Sequence, residues 1–172
     1  MAGLDKIKLG HFLFMNISIR KVEFSDLKDV VGLLREFAEF ENLSEYCEVT
    51  EERLVTAMFG PDAVVEGLIT LDGENAVGYA LFFPNFSSFR GQCGIYLDDL
   101  YINGAYRGQG VGEKMLREIA RIAVSRGYER IDFNVLDWNT PAIGFYKELG
   151  ADSNDEETHF KFTDEAFRSL AA

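Results

Sequence analysis

Between Val64 and Ala123 the chain runs through three successive strand patterns, a glycine-rich turn and an amphipathic helix, and this order constrains the fold more than any other feature. Val64 to Leu71 is one apolar run. Val77, Tyr79, Leu81 and Phe83 alternate in the next, and Asp72-Gly73-Glu74-Asn75 between them reads as a hairpin turn. A Phe-rich loop, Phe86 to Phe89, leads to a third strand, Gly94 to Ile102. Past the glycine turn, Val111, Met115, Leu116, Ile119, Ile122 and Ala123 recur at helical spacing until Arg126-Gly127 stops them. Hairpins make antiparallel neighbours, whereas a strand–helix–strand crossover makes a parallel one, so one sheet has to contain both.

The flanks fit the same plan. Ile17 to Val22 alternates as a strand. Ser25 can cap a helix whose apolar positions are Leu27, Val30, Val31, Leu34, Phe37 and Ala38. Thr50 can cap a second helix, with Glu51 and Glu52 at its positive end and Gly60-Pro61 closing it. Downstream, Ile131, Phe133 and Val135 alternate as a strand. Thr140-Pro141 opens a helix with Ala142, Phe145, Tyr146 and Leu149 on one stripe, and Gly150 ends it. His159 to Phe162 reads as a last strand and Thr163 as the cap of a terminal helical turn. The order β-α-α-β-β-β-α-β-α-β implies an α/β fold, one mixed sheet with helices on both faces. A chain of 172 residues is enough for one such domain. Residues 1–14 lack the apolar stretch and cleavage site of a signal sequence and read as an N-terminal extension. Met15 is an alternative start, and residues 15–172 are the domain.

Charge narrows the partners. Seventeen basic against 29 acidic residues give a net charge of −12. Such a chain repels phosphate backbones and anionic membranes, which argues against nucleic acid and membrane as partners. It attracts cations. Cys47 and Cys93, and likewise His11 and His159, are too scattered for a zinc site, so no metal is expected. Two cysteines fit a reducing, cytoplasmic compartment better than a disulfide framework.

The chemistry lies in Leu97-Asp98-Asp99-Leu100-Tyr101-Ile102 followed by Tyr106-Arg107-Gly108-Gln109-Gly110-Val111-Gly112. A strand, a glycine loop and a helix start make an anion site. Glycines let backbone approach a phosphate, and the first helical N–H groups point outward at the positive dipole end. No Lys-Ser or Lys-Thr follows, so this is not a Walker A loop. Glycines serving the turn alone would look the same. The consecutive acids Asp98 and Asp99 interrupt the strand's alternation, as a bulge or as a solvated strand end. Tyr146, on an apolar stripe, reads equally as a core tyrosine.

The Arg-x-x-Gly-x-Gly pattern, together with Trp138-Asn139-Thr140-Pro141-Ala142-Ile143 running on to Phe145-Tyr146, resembles the GNAT acetyltransferase superfamily. The resemblance covers nearly everything from Ile17 onward. Through Arg35-Glu36-Phe37-Ala38-Glu39-Phe40-Glu41 it is nearest the diamine branch, which acetylates spermidine, spermine or thialysine. It implies the GNAT fold, with the sheet splayed between two parallel strands to admit acetyl-CoA as cosubstrate. By resemblance, Leu100, Tyr101, Ile102, Arg107, Gly108, Gln109, Gly110, Val111, Gly112, Asn139 and Tyr146 contact the cofactor. Glu41, Asp98 and Asp99 hold a small cationic amine, Asp98 takes its proton and Tyr146 protonates the leaving thiolate. A homodimer is implied as well. This chain departs from the branch at Asp98, where the branch has glutamate, at Phe40, where it has tyrosine, and at Glu157, where it has tryptophan. Two other readings stay open, a protein or peptide N-acetyltransferase and a non-catalytic acetyl-CoA sensor.

Overall fold

The computed structural model describes residues 16–154 and 158–171. The extension at residues 1–14, the start at Met15 and the acids Asp155 to Glu157 lie outside them. The chain divides into two compact units, Met1–Asn134 and Val135–Ala172.

The first unit holds a five-stranded sheet in the order β1-β2-β3-β4-β5, formed by β1 (Ile17–Lys21), β2 (Glu66–Asp72), β3 (Asn75–Ser87), β4 (Gln92–Ile102) and β5 (Ile131–Asp132). The first three pairings are antiparallel and β4–β5 is parallel. The sheet is therefore mixed, as the order of elements requires. Three helices cover it, α1 (Leu27–Phe40), α2 (Glu51–Phe59) and α3 (Val111–Ser125).

Each face of the sheet has its own core. On one face Val30, Val31 and Leu33 of α1 and Leu54 of α2 pack with Ile69, Tyr79, Leu81 and Tyr101. On the other, Val111, Met115, Ile119 and Ala123 of α3 pack with Leu68, Ala80, Phe82, Ile95, Leu97 and Ile102. Strand residues alternate faces, so β3 feeds both cores and is buried at every position from Val77 to Phe82. That explains its nearly uninterrupted apolar run. Pro84 costs the ladder little, because the β2–β3 register ends at Glu66↔Phe82 and leaves its missing N–H without a strand to serve.

Helix ends follow the expected chemistry in most places. Thr50 Oγ1 accepts from Arg53 N at 3.2 Å and caps α2. Gly127 takes φ +72 after α3. The helix α1 differs. It starts at Leu27 after a 3-10 turn, Phe24–Asp26, so Ser25 lies inside the turn. Asp26 takes the acceptor role instead, receiving Glu23 N at 2.7 Å and both Arg20 Nη atoms at 2.6 and 2.9 Å.

The loop expected over Phe86 to Phe89 lies two residues further on, at residues 88–91. β3 runs on to Ser87, β4 begins at Gln92, and Gly91 turns at φ +62. The strand expected over Ile131, Phe133 and Val135 is cut to Ile131–Asp132.

The second unit has α4 (Thr140–Glu148) and α5 (Asp164–Leu170). His159 to Phe162 forms no strand in the described residues, and Phe160 and Phe162 are exposed. Alternation alone does not make a strand where no partner strand offers its hydrogen bonds.

Candidate active site

The site grows from one extra residue in β4. Phe82 pairs with Leu97 and Leu81 with Asp99, which leaves Asp98 without a counterpart on β3. This is a bulge at the position where the alternation breaks. An inserted residue reverses the parity of all that follows. Ile95 and Leu97 point into the α3-side core before it, and Leu100 and Ile102 do so after it. Asp99 and Tyr101 are thereby turned to the α1 side.

There Asp99 meets Tyr79. The Tyr79 hydroxyl, on a fully buried side chain, donates to Asp99 Oδ2 at 3.1 Å. Burial pushes the Asp99 carboxyl up to about 7. Repulsion from Asp98 and then Glu41 adds to this, and the Tyr79 hydrogen bond opposes it. Asp98 has the more open surface, yet loss of hydration raises its carboxyl too. Burial likewise raises Glu41. Tyr79 itself is held far above the ordinary phenol range by burial, then by Asp99, Asp98 and Cys47. Of the three acids chosen from sequence, Asp98 and Glu41 thus both act on Asp99.

Glu41 is placed by the end of α1. Asn42 adopts φ +58, the left-handed conformation that Asn tolerates better than most residues. Leu43 N donates to Ala38 O at 2.8 Å and Asn42 N to Glu39 O at 3.0 Å. These are the two bonds of a Schellman motif, and Glu41 is the C-cap residue within it.

On the far edge of β4, pairing with β5 is confined to Ile95↔Ile131 and Tyr96↔Asp132 in the described residues. It stops two residues short of the bulge. Asn103 N donates to Val77 O at 2.9 Å. Backbone groups alternate sides along an antiparallel strand, so those of Leu100 and Ile102 face away from β3.

The loop after β4 suits an oxyanion. Gly108 and Gly110 take φ +71 and +75, and nothing stands within 4 Å of where a Cβ would lie on either. The first intrahelical bond of α3 is Lys114 N to Gly110 O at 3.0 Å. The N–H groups of Val111, Gly112 and Glu113 precede it, and Gly110 has no side chain to cap them. An oxyanion is the natural partner of such a helix start. Gln109 is tied to Ala105 O through Nε2 at 2.8 Å.

Arg107, expected at this loop as a cofactor contact, has its side chain held by the end of β4 and by α1. Its Nε donates to Ile102 O at 2.8 Å, and its Cζ lies 4.3 Å from the centre of the Phe40 ring and 5.3 Å from that of Tyr101.

Two participants carried no sequence signal for a role here. Tyr79 reads as one more apolar-facing strand residue, and only the register, Tyr79↔Tyr101, sets it beside Asp99. Glu36 accepts from Tyr101 Oη at 3.3 Å and from Asn103 Nδ2 at 3.0 Å. It lies within the acidic-aromatic stretch that ends at Glu41.

In the second unit, Asn139 Oδ1 accepts from Ala142 N at 3.3 Å and caps α4. The Tyr146 ring packs at 5.1 Å from that of Phe145, and burial raises its phenol to about 12.

Residues 30–151 match the acetyltransferase (GNAT) family. Thialysine N-epsilon-acetyltransferase of Mus musculus is 37% identical over 164 residues, which is 89% of this chain and 96% of that protein. Spermidine/spermine N(1)-acetyltransferase-like protein 1 of Homo sapiens is 31% identical over 179 residues, 98% of this chain but 25% of that protein. The integron cassette protein VCH_CASS6 from the mobile metagenome of V. cholerae has the same fold, with a TM-score of 0.77 at 23% identity over 91% of this chain and 98% of its own.

Proposed function

The chain belongs to the GNAT acetyltransferase family, and from that premise we propose that it acetylates a primary amine on a small cationic acceptor, a diamine, a polyamine or a lysine-like amino acid. The family implies acetyl-CoA as donor. The observation that carries the choice of acceptor is the buried Asp99 carboxyl, raised further by the charges of Asp98 and Glu41. Acids that raise one another lose that cost when a cation arrives. The relatives named for thialysine and for spermidine and spermine support the same class.

Acetyl-CoA supplies an acetyl group activated as a thioester. The backbone of Gly108 to Gly112, with Arg107 and Gln109 shaping the loop, is the proposed seat of its diphosphate. The outward backbone groups of Leu100 and Ile102, and Tyr101 between them, are proposed to receive its extended arm in a slot beside β4. Asn139 keeps the cofactor role that the resemblance implies. An alkyl ammonium has a pKa of about 10.4 and must shed a proton before it can attack. Glu41 and Asp99 hold the cation, and the Asp98–Asp99 pair takes the proton. A carboxyl near 7 is a far better base than an ordinary one near 4. Tyr146 is proposed to give a proton to the departing thiol, and a phenol raised to about 12 arrives protonated at neutral pH. A cytoplasmic homodimer completes the reading, since symmetric dimers are the commonest oligomers.

A thiol-release assay with acetyl-CoA and a panel of spermidine, thialysine, ornithine and a lysine peptide tests the reading. Turnover of a free amine well above that of the peptide is expected. Preference for the peptide would make it a protein acetyltransferase. Calorimetric binding of acetyl-CoA with no turnover on any amine would make it a sensor.

A further inference from the structure

The end of α1 and the root of the glycine loop are fastened together. Glu36, Phe37 and Phe40 share one face of α1, at positions i, i+1 and i+4. Each of them meets the end of β4 or the residues just after it. Glu36 Oε2 accepts from Tyr101 Oη and Asn103 Nδ2. The Phe37 ring packs 5.4 Å from that of Tyr101. Phe40 lies under the Arg107 guanidinium at 4.3 Å. Arg107 is in turn aimed by its bond to Ile102 O, which fixes the plane of the fork at 2.8 Å. A guanidinium over an aromatic face, held from behind by a carbonyl, is a directional contact that lysine does not reproduce. The residue after Phe40 is Glu41, whose place in the Schellman motif depends on the same turn of helix.

We propose that Arg107 is a positioning residue for the acceptor, a clamp that holds the last turn of α1, and with it Glu41, against the end of β4. The inference rests on Glu41 being a holder of the amine, as in the acetyltransferase reading above. It assigns the Arg107 side chain to the acceptor half of the reaction, while the backbone beside it serves the donor. Arg107 also opens the donor loop, with Gly108 next in the chain. Any movement of that loop reaches Glu41 through a single ring. Donor and acceptor affinities are then coupled, and coupling between binding sites is reciprocal.

Three variants test the clamp: Arg107→Lys, Phe40→Leu and the two combined. Arg107→Lys is expected to raise the KM for the amine about fivefold, the size of a lost guanidinium–aromatic contact. Phe40→Leu should do the same, and the double variant should add little to either, because both remove one contact. Hydrogen exchange gives a readout that needs no turnover. The amides of Glu41, Asn42 and Leu43 should exchange faster in Arg107→Lys than in the parent, while those in the middle of α3 keep their rates. A rise confined to the KM for acetyl-CoA, or unchanged exchange at the end of α1, overturns the clamp. Failure of the parent protein to acetylate any amine in the panel overturns the acetyltransferase reading instead, and the exchange result still decides the clamp.

Discussion

With its carboxyl near 7, Asp99 is half-ionised at neutral pH, and that single group ties activity and stability to pH in opposite directions. Only the carboxylate can take a proton from an ammonium, so kcat/KM is expected to rise with pH through about 7. Stability runs the other way. An ordinary aspartate has a value of 3.8, so between 3.8 and about 7 the folded protein keeps a proton that the unfolded chain has released. The contribution is present below 3.8 and is lost as pH rises through about 7. Replacing Asp99 by Asn removes the cost of the buried charge. The Asn variant should therefore gain Tm at pH 8 relative to the parent and gain little at pH 4, while losing the rise in kcat/KM. Thermal denaturation at both pH values and a pH–rate profile measure this, and an equal Tm change at the two pH values would dismiss the raised carboxyl. The sequence pointed to this pair of acids through the broken alternation. Broken alternation alone did not tell them apart, because what separates them is depth of burial, which the bulge sets by turning Asp99 toward the α1-side core beside Tyr79 of another strand.

Among the elements, α1 shows how a helix end becomes part of a site. Its C-terminal Schellman motif needs a left-handed residue at position 42, and Asn supplies it at φ +58. Asn42→Gly should leave stability nearly unchanged. Asn42→Ala should cost about 1 kcal/mol, because Ala keeps the strained Cβ but loses the short polar side chain that makes the left-handed conformation tolerable for Asn. Denaturant midpoints of the two variants check the difference, and equal midpoints would mean that the motif carries no strain. The strand β4 makes the complementary point. Its bulge at Asp98 sets which side chains face α1 and which face α3, so deleting one residue there would exchange the two sets. Elements with a complete local signal were legible from the chain: α2 with its Thr50 cap, α3 with its stripe and terminal Gly127, and the β2–β3 hairpin at Gly73. The length of β5 and the fate of the segment from His159 to Phe162 were not. Their alternation is real, but a strand also needs a neighbour within hydrogen-bonding reach, and the pairing of β4 with β5 ends at Tyr96.

At the scale of the molecule, the net charge of −12 would surround the two oppositely charged ligands of the proposed reaction. Its field draws a cationic amine in from a distance, and salt screens that field over about 8 Å at physiological ionic strength. The KM for the amine should therefore climb as salt rises from 20 to 500 mM, by about threefold or more if steering matters. A flat response, followed by the same thiol-release assay, would confine the acids to local contacts. No helix in the described residues is long and apolar enough to cross a membrane. By itself the sequence determined the order of elements as far as α4, the mixed sheet with helices on both faces, the glycine loop ahead of α3 and the family, because periodicity, turn chemistry and short motifs are local in the chain. Only the tertiary structure decided that Tyr79 holds Asp99, that Glu36 ties α1 to the end of β4, and that Arg107 lies on Phe40. Those contacts join residues 20, 67 and 67 positions apart. Strand register and helix packing bring them together, and neither leaves a mark on the spacing of a single chain.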